Sequence, residues 1–288
     1  MDAGWSPLHN RECFFNDDIF LMFCFSYSTG SAVLSPTRLV LVDNNNMAVK
    51  MVDTKERVVI TTVRFKSEPR DVTVLTRLDA IAVTLPEEWK IQFLSTRYYN
   101  IFELLSAIVV NGKCECVDYC DGKLFVSYLF SSPSRVEIMT LDGTVLKVLK
   151  RDSEGNPLFT WPDYLTVWKD HIFISNYWNS TVLKLTTEGA VVSSYHDAGL
   201  RWPRGVISTG DGHILICSRY TNNIHIITDA GVKVGILLCA KDGLERPWSL
   251  CYCPASRRLY VSSYSPQEKH GNYIRVYQFK DPEETNVT

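Results

Sequence analysis

The stretch His213-Ile-Leu-Ile-Cys-Ser218 sets large apolar residues before a small or polar ending, and five other stretches follow the same pattern. Short apolar runs rich in β-branched residues are typical of buried strands. The other copies are Arg38-Leu-Val-Leu-Val-Asp43, Ala80-Ile-Ala-Val-Thr-Leu85, Lys123-Leu-Phe-Val-Ser-Tyr128, His171-Ile-Phe-Ile-Ser-Asn176 and Arg258-Leu-Tyr-Val-Ser-Ser263.

The spacing of these copies is regular. The apolar residue two positions before the end of each copy serves as an anchor, and successive anchors are 42, 43, 48, 42 and 45 residues apart. A strand repeat with a period of roughly 40 to 50 residues is typical of propeller blades. The sequence therefore predicts an all-β, six-bladed propeller. The anchors are Leu41, Val83, Val126, Ile174, Ile216 and Val261.

Each anchor strand is preceded by one strand pattern and followed by another, and turn residues lead to an outer strand. Leu141-Asp-Gly-Thr144 is one such turn, where glycine suits a positive φ. We expect blades near 31–65, 70–105, 115–150, 163–195, 204–238 and 248–279. The sixth blade lacks an outer strand, so the apolar run 19–25 is predicted to close the ring, between a lead at 1–18 and a polar tail at 281–288. A pair of β-sandwiches is the structural alternative.

Composition excludes several classes of function. The chain of 288 residues has 30 Lys and Arg against 32 Asp and Glu, a formal charge of -2, and 45% hydrophobic residues. Such a chain is neither a strongly basic nucleic-acid wrapper nor disordered. Its odd number of cysteines, nine, favours reduced thiols and a cytoplasmic location. The run 19–25 is too short to span a membrane, so no membrane association is expected.

No cofactor, metal or catalytic residue is predicted. Cys114-Glu-Cys116 and Cys251-Tyr-Cys253 suggest zinc, but the alternating thiols also fit small apolar side chains on one face of a strand. Six-bladed propellers include calcium-dependent lactonases, whose ligands lie on inner strands. The matching carboxylates here, which are scattered in register, are Asp71, Glu115, Asp118 and Asp163.

The repeats also resemble a known family. Pro203–Val206, Gly210–Cys217 and Asn222–Gly231 are similar to one NHL repeat, and Gly30–Asp53 is similar to another. The stretch 30–279 resembles the C-terminal propeller of tripartite-motif proteins, which carry RING, B-box and coiled-coil segments before it. The resemblance implies a substrate-recognition module of a ubiquitin ligase. Since this chain has no Cys/His-rich zinc segments upstream, we expect it to bind a partner without catalysing transfer, as a monomeric propeller.

One end of the propeller is the predicted binding face. Loops between the two middle strands of each blade, and loops leading into each inner strand, emerge on the same rim. Tryptophan, tyrosine and arginine are frequent there, and these residue types dominate protein interfaces. The candidate partner-binding residues are Asp43, Asn44, Arg70, Tyr128, Asp163, Asn176, Tyr177, Trp178, Arg201, Arg204, Arg219, Tyr220, Arg246 and Tyr264.

Alternative roles remain open for this face. A repeated aromatic, as at Trp161, Trp202 and Trp248, also serves to wedge neighbouring blades apart. Arg204 and Arg219 would form structural bridges if they paired with Asp163 or Asp43 across the channel. A protein ligand is the favoured partner, and single-stranded RNA, stacked on aromatic rings beside arginines, is the alternative.

Overall fold

The computed structural model describes residues 20–21, 28–98, 100–263 and 273–279, which form six four-stranded antiparallel sheets. The first strand is β1 (Phe20–Leu21). Blade 1 contains β2 (Ser28–Ser35), β3 (Arg38–Asp43), β4 (Ala48–Asp53) and β5 (Val58–Arg64). Blade 2 contains β6 (Val72–Leu75), β7 (Ala80–Leu85), β8 (Lys90–Ser95) and β9 (Glu103–Val109). Blade 3 contains β10 (Val117–Cys120), β11 (Lys123–Tyr128), β12 (Arg135–Thr140) and β13 (Val145–Leu149).

The remaining blades follow the same order. Blade 4 contains β14 (Pro162–Trp168), β15 (His171–Asn176), β16 (Thr181–Thr186) and β17 (Val191–Tyr195). Blade 5 contains β18 (Pro203–Ser208), β19 (His213–Ser218), β20 (Asn223–Thr228) and β21 (Lys233–Leu238). Blade 6 contains β22 (Pro247–Cys253), β23 (Arg258–Ser263) and β24 (Ile274–Gln278), with β1 as its outer strand. None of the described segments is a helix long and apolar enough to cross a membrane.

The six sheets form a closed ring around a central channel. The first strand of each blade contacts the first strand of the next, in the order β2, β6, β10, β14, β18 and β22, and β22 returns to β2. The predicted six-bladed propeller is confirmed. The predicted closing strand is also observed, because Phe20 and Leu21 pair with Arg275 and Ile274 of the last strand. Residues 19 and 22–25 of that prediction lie outside the described residues.

All six blades share one register between the first and second strands. Each anchor residue of the sequence repeat pairs with one residue of its inner strand. Because this register is constant, residues at the same distance from the anchor occupy equivalent places in every blade. The pairs are Ser31–Leu41, Val72–Val83, Val117–Val126, Leu165–Ile174, Val206–Ile216 and Leu250–Val261.

The ends of the propeller differ in their loops. The loops between second and third strands, and the loops that join consecutive blades, emerge at one end, which we call the upper face. The anchor spacing of 48 residues reflects a longer loop between β13 and β14, where Arg151 and Pro157 form an isolated β-bridge. This loop adds its residues to the upper face.

Turns at the opposite end contain glycine where the backbone requires it. Gly143, Gly189 and Gly231 have φ values of 88°, 91° and 83°, and the positive φ at Gly143 agrees with the turn predicted at Leu141–Thr144. A Cβ added at Gly189 would lie 2.7 Å from Leu149 of the preceding blade. Blade 4 therefore packs its last turn closely against blade 3.

The core consists of apolar side chains between neighbouring blades. Phe125, Phe173 and Ile216, from three successive blades, belong to one continuous buried cluster. The paired cysteines of the sequence are buried in the same way, and burial raises the pKa of Cys114 and that of Cys251 to about 12. These thiols behave as small apolar side chains rather than as exposed nucleophiles.

Close approach of the inner strands depends on glycine at position 205. An added Cβ would lie 3.0 Å from the Ser249 Cα and 3.0 Å from the Trp248 carbonyl oxygen. Because both are backbone atoms, we expect Gly205→Ala to force blades 5 and 6 apart and to lower the free energy of unfolding by about 1–3 kcal/mol.

The measurement is chemical denaturation of the wild type, Gly205→Ala and Gly235→Ala. Gly235 has no heavy atom within 4 Å of an added Cβ and no positive φ, so this control should equal or exceed the wild type in stability. Equal unfolding midpoints for Gly205→Ala and the wild type would contradict the close approach.

Candidate functional site

Six equivalent residues surround the upper mouth of the channel. Each lies two positions before the inner-strand residue that pairs with the anchor, so the constant register brings one side chain per blade to the same level. We call these six residues the mouth ring. In blade order they are Thr29, Arg70, Glu115, Asp163, Arg204 and Trp248.

Charged side chains of the mouth ring bind one another across blades. Arg70 donates from Nε to Glu115 at 3.0 Å and from Nη2 to Asp163 at 3.3 Å. Arg204 donates from Nη1 to the other oxygen of Asp163 at 2.6 Å. Asp163 is therefore shared by two guanidinium groups, and its side chain is fully buried. Burial also raises the pKa of Glu115, an effect that the nearby Arg70 opposes.

The indole of Trp248 lies at the centre of this cluster. The guanidinium carbon of Arg204 is 3.9 Å from the ring centroid, and those of Arg219 and Arg70 are at 4.8 and 5.5 Å. The Trp248 Nε1–H donates to the Tyr164 hydroxyl at 2.9 Å, and this hydroxyl donates to the Thr29 carbonyl. Cation–π contacts and hydrogen bonds thus connect all sides of the channel mouth.

A chain of aromatic rings runs along the upper face from blade 3 to blade 5. We call it the aromatic belt. Neighbouring rings have centroids 4.9 to 6.1 Å apart, and four of the five contacts are edge-to-face. Its members are, in order of contact, Phe130, Trp161, Trp178, Tyr177, Trp202 and Tyr220.

Local backbone contacts hold the belt in place. The Asn176 side-chain oxygen accepts hydrogen bonds from the Thr160 and Trp161 amides, at 3.0 and 2.9 Å. The Tyr177 amide in turn donates to the Trp161 carbonyl at 3.0 Å. Asn176, the last residue of β15, therefore holds the loop that leads into β14 and aligns the rings of Trp161 and Tyr177.

Seven of the predicted site residues are buried, and five of them make structural contacts beneath the face. Asp43 accepts from Lys50 at 2.6 Å, and Asn44 donates to the Pro69 carbonyl at 2.9 Å. Tyr128 is covered by Arg135, 4.1 Å from its ring centroid. With Asp163 and Asn176 they hold loops and blades together, since side chains exposed by less than a tenth offer little area to a partner.

The structural roles suggested for the arginines and tryptophans are resolved in part. Arg204 does bridge to Asp163, as one interpretation of the sequence held, whereas Asp43 bonds to Lys50. Trp248 is buried between blades, while Trp161 and Trp202 are half-exposed members of the belt.

The accessible part of the predicted face contains Trp178, Arg201, Tyr220 and Arg246, all exposed, and Arg70 and Arg219, which are half-buried. Tyr177 and Arg204 lie just beneath them, with the Arg204 guanidinium carbon 4.2 Å from the Tyr177 centroid. The remaining predicted residue, Tyr264, lies outside the described residues.

Three site residues, Thr29, Glu115 and Phe130, were missing from the sequence-based face. Phe130 is an exposed belt member, and its position two residues beyond the end of a middle strand was the signal for it. Glu115 was considered as a calcium ligand. It lies two residues before the inner-strand residue that pairs with its blade's anchor, so it belongs to the mouth ring, where it contacts Arg70.

A cavity of about 210 Å³ lies in the channel, and its lining begins one residue beyond the mouth ring on five inner strands and at Ser31 on β2. Asp71 and Asp118 line it. Asp71 accepts from the Val117 amide at 3.1 Å, and burial raises its pKa to about 7. Asp118 accepts from Thr73 and Thr166, both at 3.2 Å. The four carboxylates considered for calcium are therefore each bonded to protein groups, and the described residues contain no cluster of three or more metal-ligating side chains.

No protein-family model matches the chain, and no curated protein matches it. Solved structures do resemble it in fold. A luciferin-regenerating enzyme is 12% identical, with 89% of this chain and 94% of that chain covered and a TM-score of 0.67. A streptogramin B lyase is 14% identical, with 90% and 85% covered and a TM-score of 0.61. A chain of a nidogen/laminin complex is 14% identical, with 77% and 83% covered and a TM-score of 0.61.

These similarities define the class of protein. The chain is a six-bladed β-propeller whose structural neighbours include enzymes and a protein that forms a complex. At such low identity the fold is shared and the function is not implied. The NHL repeat and the tripartite-motif relationship remain predictions from the repeat pattern.

The shared carboxylate of Asp163 yields a first prediction for the site. Asp163→Asn removes the buried negative charge that Arg70 and Arg204 both bind, so we expect the free energy of unfolding to fall by about 3 kcal/mol. Denaturant unfolding measures the loss. Glu188→Gln is the matched control, because its pair with Lys147 is largely exposed and should leave the unfolding midpoint unchanged. Equal midpoints for the wild type and Asp163→Asn would contradict the structural role of this carboxylate.

The raised pKa of Asp71 predicts a pH dependence of stability. The native state keeps this proton up to a pH of about 7, whereas the ordinary pKa is 3.8. Between these values the native state binds more protons than the unfolded chain, so the free energy of unfolding falls as the pH rises, by at most about 1.4 kcal/mol per pH unit from this group.

Asp71→Asn should remove that contribution. Urea unfolding of the wild type and of Asp71→Asn between pH 4.5 and pH 7.5 gives the difference between their free energies of unfolding. The contributions of the other titrating groups cancel in this difference. We expect the variant to gain stability relative to the wild type as the pH rises. A constant difference across this range would show that Asp71 is ionised throughout.

Proposed function

We propose that this chain is a non-catalytic binding module whose upper face, centred on the aromatic belt, binds a segment of a partner protein. The observation that carries the proposal is the continuous belt itself, with Phe130, Trp178 and Tyr220 exposed by 63%, 56% and 54% beside arginines. Large rigid rings supply contact area at a small cost in side-chain entropy, and arginines supply directional hydrogen bonds.

The repeat pattern supports a more specific role. The chain resembles the substrate-recognition propeller of tripartite-motif ubiquitin ligases, and in such a role it would hold a protein for modification by a RING domain elsewhere. The nidogen/laminin complex is a further structural neighbour named for a protein assembly. Both similarities agree with a protein ligand.

Single-stranded RNA is the second candidate, and one contact favours it. The exposed guanidinium of Arg201 lies 4.7 Å from the Tyr220 ring centroid, and a base would stack on either group. Two features favour protein instead. Most belt rings pack edge-to-face on their neighbours, which leaves few free ring faces for successive bases. The formal charge of the chain is also -2, so its overall electrostatic attraction for the phosphates of RNA is weak.

Removing exposed belt residues should weaken partner binding without unfolding the protein. We expect Trp178→Ala and Tyr220→Ala each to reduce at least tenfold the amount of partner protein that co-purifies with the chain. Central aromatic residues contribute about 2 kcal/mol or more to interfaces. Quantitative mass spectrometry of co-purified proteins measures recovery, and thermal unfolding checks that each variant folds.

Tyr98→Ala is the matched control, since Tyr98 is a tyrosine exposed by 53% at the opposite end of the propeller. It should recover the partner as the wild type does. Equal recovery by all four proteins would locate the binding site elsewhere. Oligonucleotide affinity that falls steeply with salt and is lost in Tyr220→Ala would instead select RNA.

A further inference from the structure

Three tryptophans of the aromatic belt present hydrogen-bond donors to solvent. The indole N–H groups of Trp161, Trp178 and Trp202 have no acceptor among the described residues. Trp178 is exposed, and the other two are half-exposed with indole nitrogens that are not buried. At the opposite end of the propeller, by contrast, Trp168 donates its own N–H to the Asp229 carboxylate at 3.3 Å. The belt therefore offers three donors to a partner.

The rings beside these donors are inclined to one another. Phe130 and Trp161 meet at 81°, Trp161 and Trp178 at 77°, and Trp178 and Tyr177 at 79°. Two rings inclined by nearly a right angle form a notch bounded by the face of one ring and the edge of the other. A compact apolar ring such as that of proline fits a notch of this kind, whereas a stacked base needs an open ring face.

The unused donors select the backbone conformation of the partner. An α-helix pairs its carbonyl groups internally, so it has few to offer to the indoles. An added β-strand needs a row of backbone groups along a sheet edge, but every belt residue lies in a loop between strands. A polyproline II helix has no internal hydrogen bonds, and its carbonyls remain free to accept. It therefore matches both the donors and the notches.

The spacing of the belt also suits this helix. Polyproline II has three residues per turn and a rise of about 3.1 Å per residue, so prolines three positions apart are about 9 Å apart. Phe130 and Trp178 both contact Trp161, with centroid distances of 5.2 and 6.1 Å, and lie no further apart than the sum of these distances. Two prolines of one P-x-x-P unit can therefore contact the rings on both sides of Trp161.

We propose that the aromatic belt binds a proline-rich segment of the partner protein in the polyproline II conformation. This inference rests on the proposed function, because it names the kind of segment that the binding face takes. Prolines occupy the notches on both sides of Trp161, and backbone carbonyls of the segment accept hydrogen bonds from the three indole groups. Since such a segment is already extended before it binds, it loses little conformational entropy on binding.

Two peptide libraries displayed on phage test the inference with the folded chain. One library fixes a P-x-x-P core, and the other is fully random. We expect the wild type to enrich binders from the first library and to select peptides with prolines three positions apart from the second. The best peptide and its two proline-to-alanine versions are then titrated against the purified protein, and each replacement should weaken binding at least tenfold.

Tryptophan-to-phenylalanine variants isolate the indole donors, because they keep an aromatic ring and remove the N–H. We expect Trp161→Phe, Trp178→Phe and Trp202→Phe each to weaken binding of the best peptide about three- to tenfold. Trp168→Phe is the matched control, since its indole already donates to Asp229, and it should bind as the wild type does. Thermal unfolding checks each variant, and the exposed Trp178 keeps the test valid if a half-exposed ring is needed for folding.

The outcomes separate this inference from the proposed function. Equal affinity for the proline and alanine peptides, or wild-type affinity in all three belt variants, overturns the polyproline II site. If the selected peptides share no proline spacing but lose binding in Trp178→Ala, the polyproline II site is wrong and the binding face stands. If neither library yields a peptide that Trp178→Ala fails to bind, both proposals fail.

Discussion

The common register of the six inner strands is the constraint on which the rest of the structure depends. In every blade the anchor pairs with the inner-strand residue two positions after the mouth-ring residue, as in Leu165–Ile174 and Val206–Ile216. Closing six sheets around one channel then leaves a single position per repeat at the mouth. The chemistry of the mouth is therefore set by six residues that are about 44 residues apart in the chain and adjacent in space.

At that position the chain departs from symmetry. The mouth ring combines Thr29 and Trp248 with two arginines and two carboxylates, so blades that share a backbone differ in charge. Burying Asp163 is costly, and ion pairs with Arg70 and Arg204 roughly offset that cost instead of adding much net stability. These ion pairs link blades 2, 4 and 5 and hold Arg204 in a fixed position beneath the upper face.

Much of the fold was accessible from the sequence, because propeller repeats are quasi-periodic. The anchors identified all six second strands, and the glycine turn before Val145 was correctly placed. The closing strand followed from counting, since the sixth blade had one strand too few. These features depend on local patterns of apolar residues and turns, which a single sequence displays.

The candidate site was less predictable because burial depends on neighbours from other blades. Tyr128 and Asn176 occupy loop-like positions in the sequence, yet Arg135 covers the first and the second caps the loop that contains Trp161. Conversely, the sequence alone did not show that the second and third blades share the register of the others, and that register is what places Glu115 in the mouth ring.

Position along the ring explains why the aromatic belt lies on blades 3 to 5. The loop between β13 and β14 is the source of the widest anchor spacing and ends at Trp161, which contacts both Phe130 and Trp178. Without that ring Phe130 of blade 3 would be separated from the belt residues of blades 4 and 5. The insertion therefore converts separate aromatic residues into one surface, and the mouth ring supplies the fixed charge at its edge.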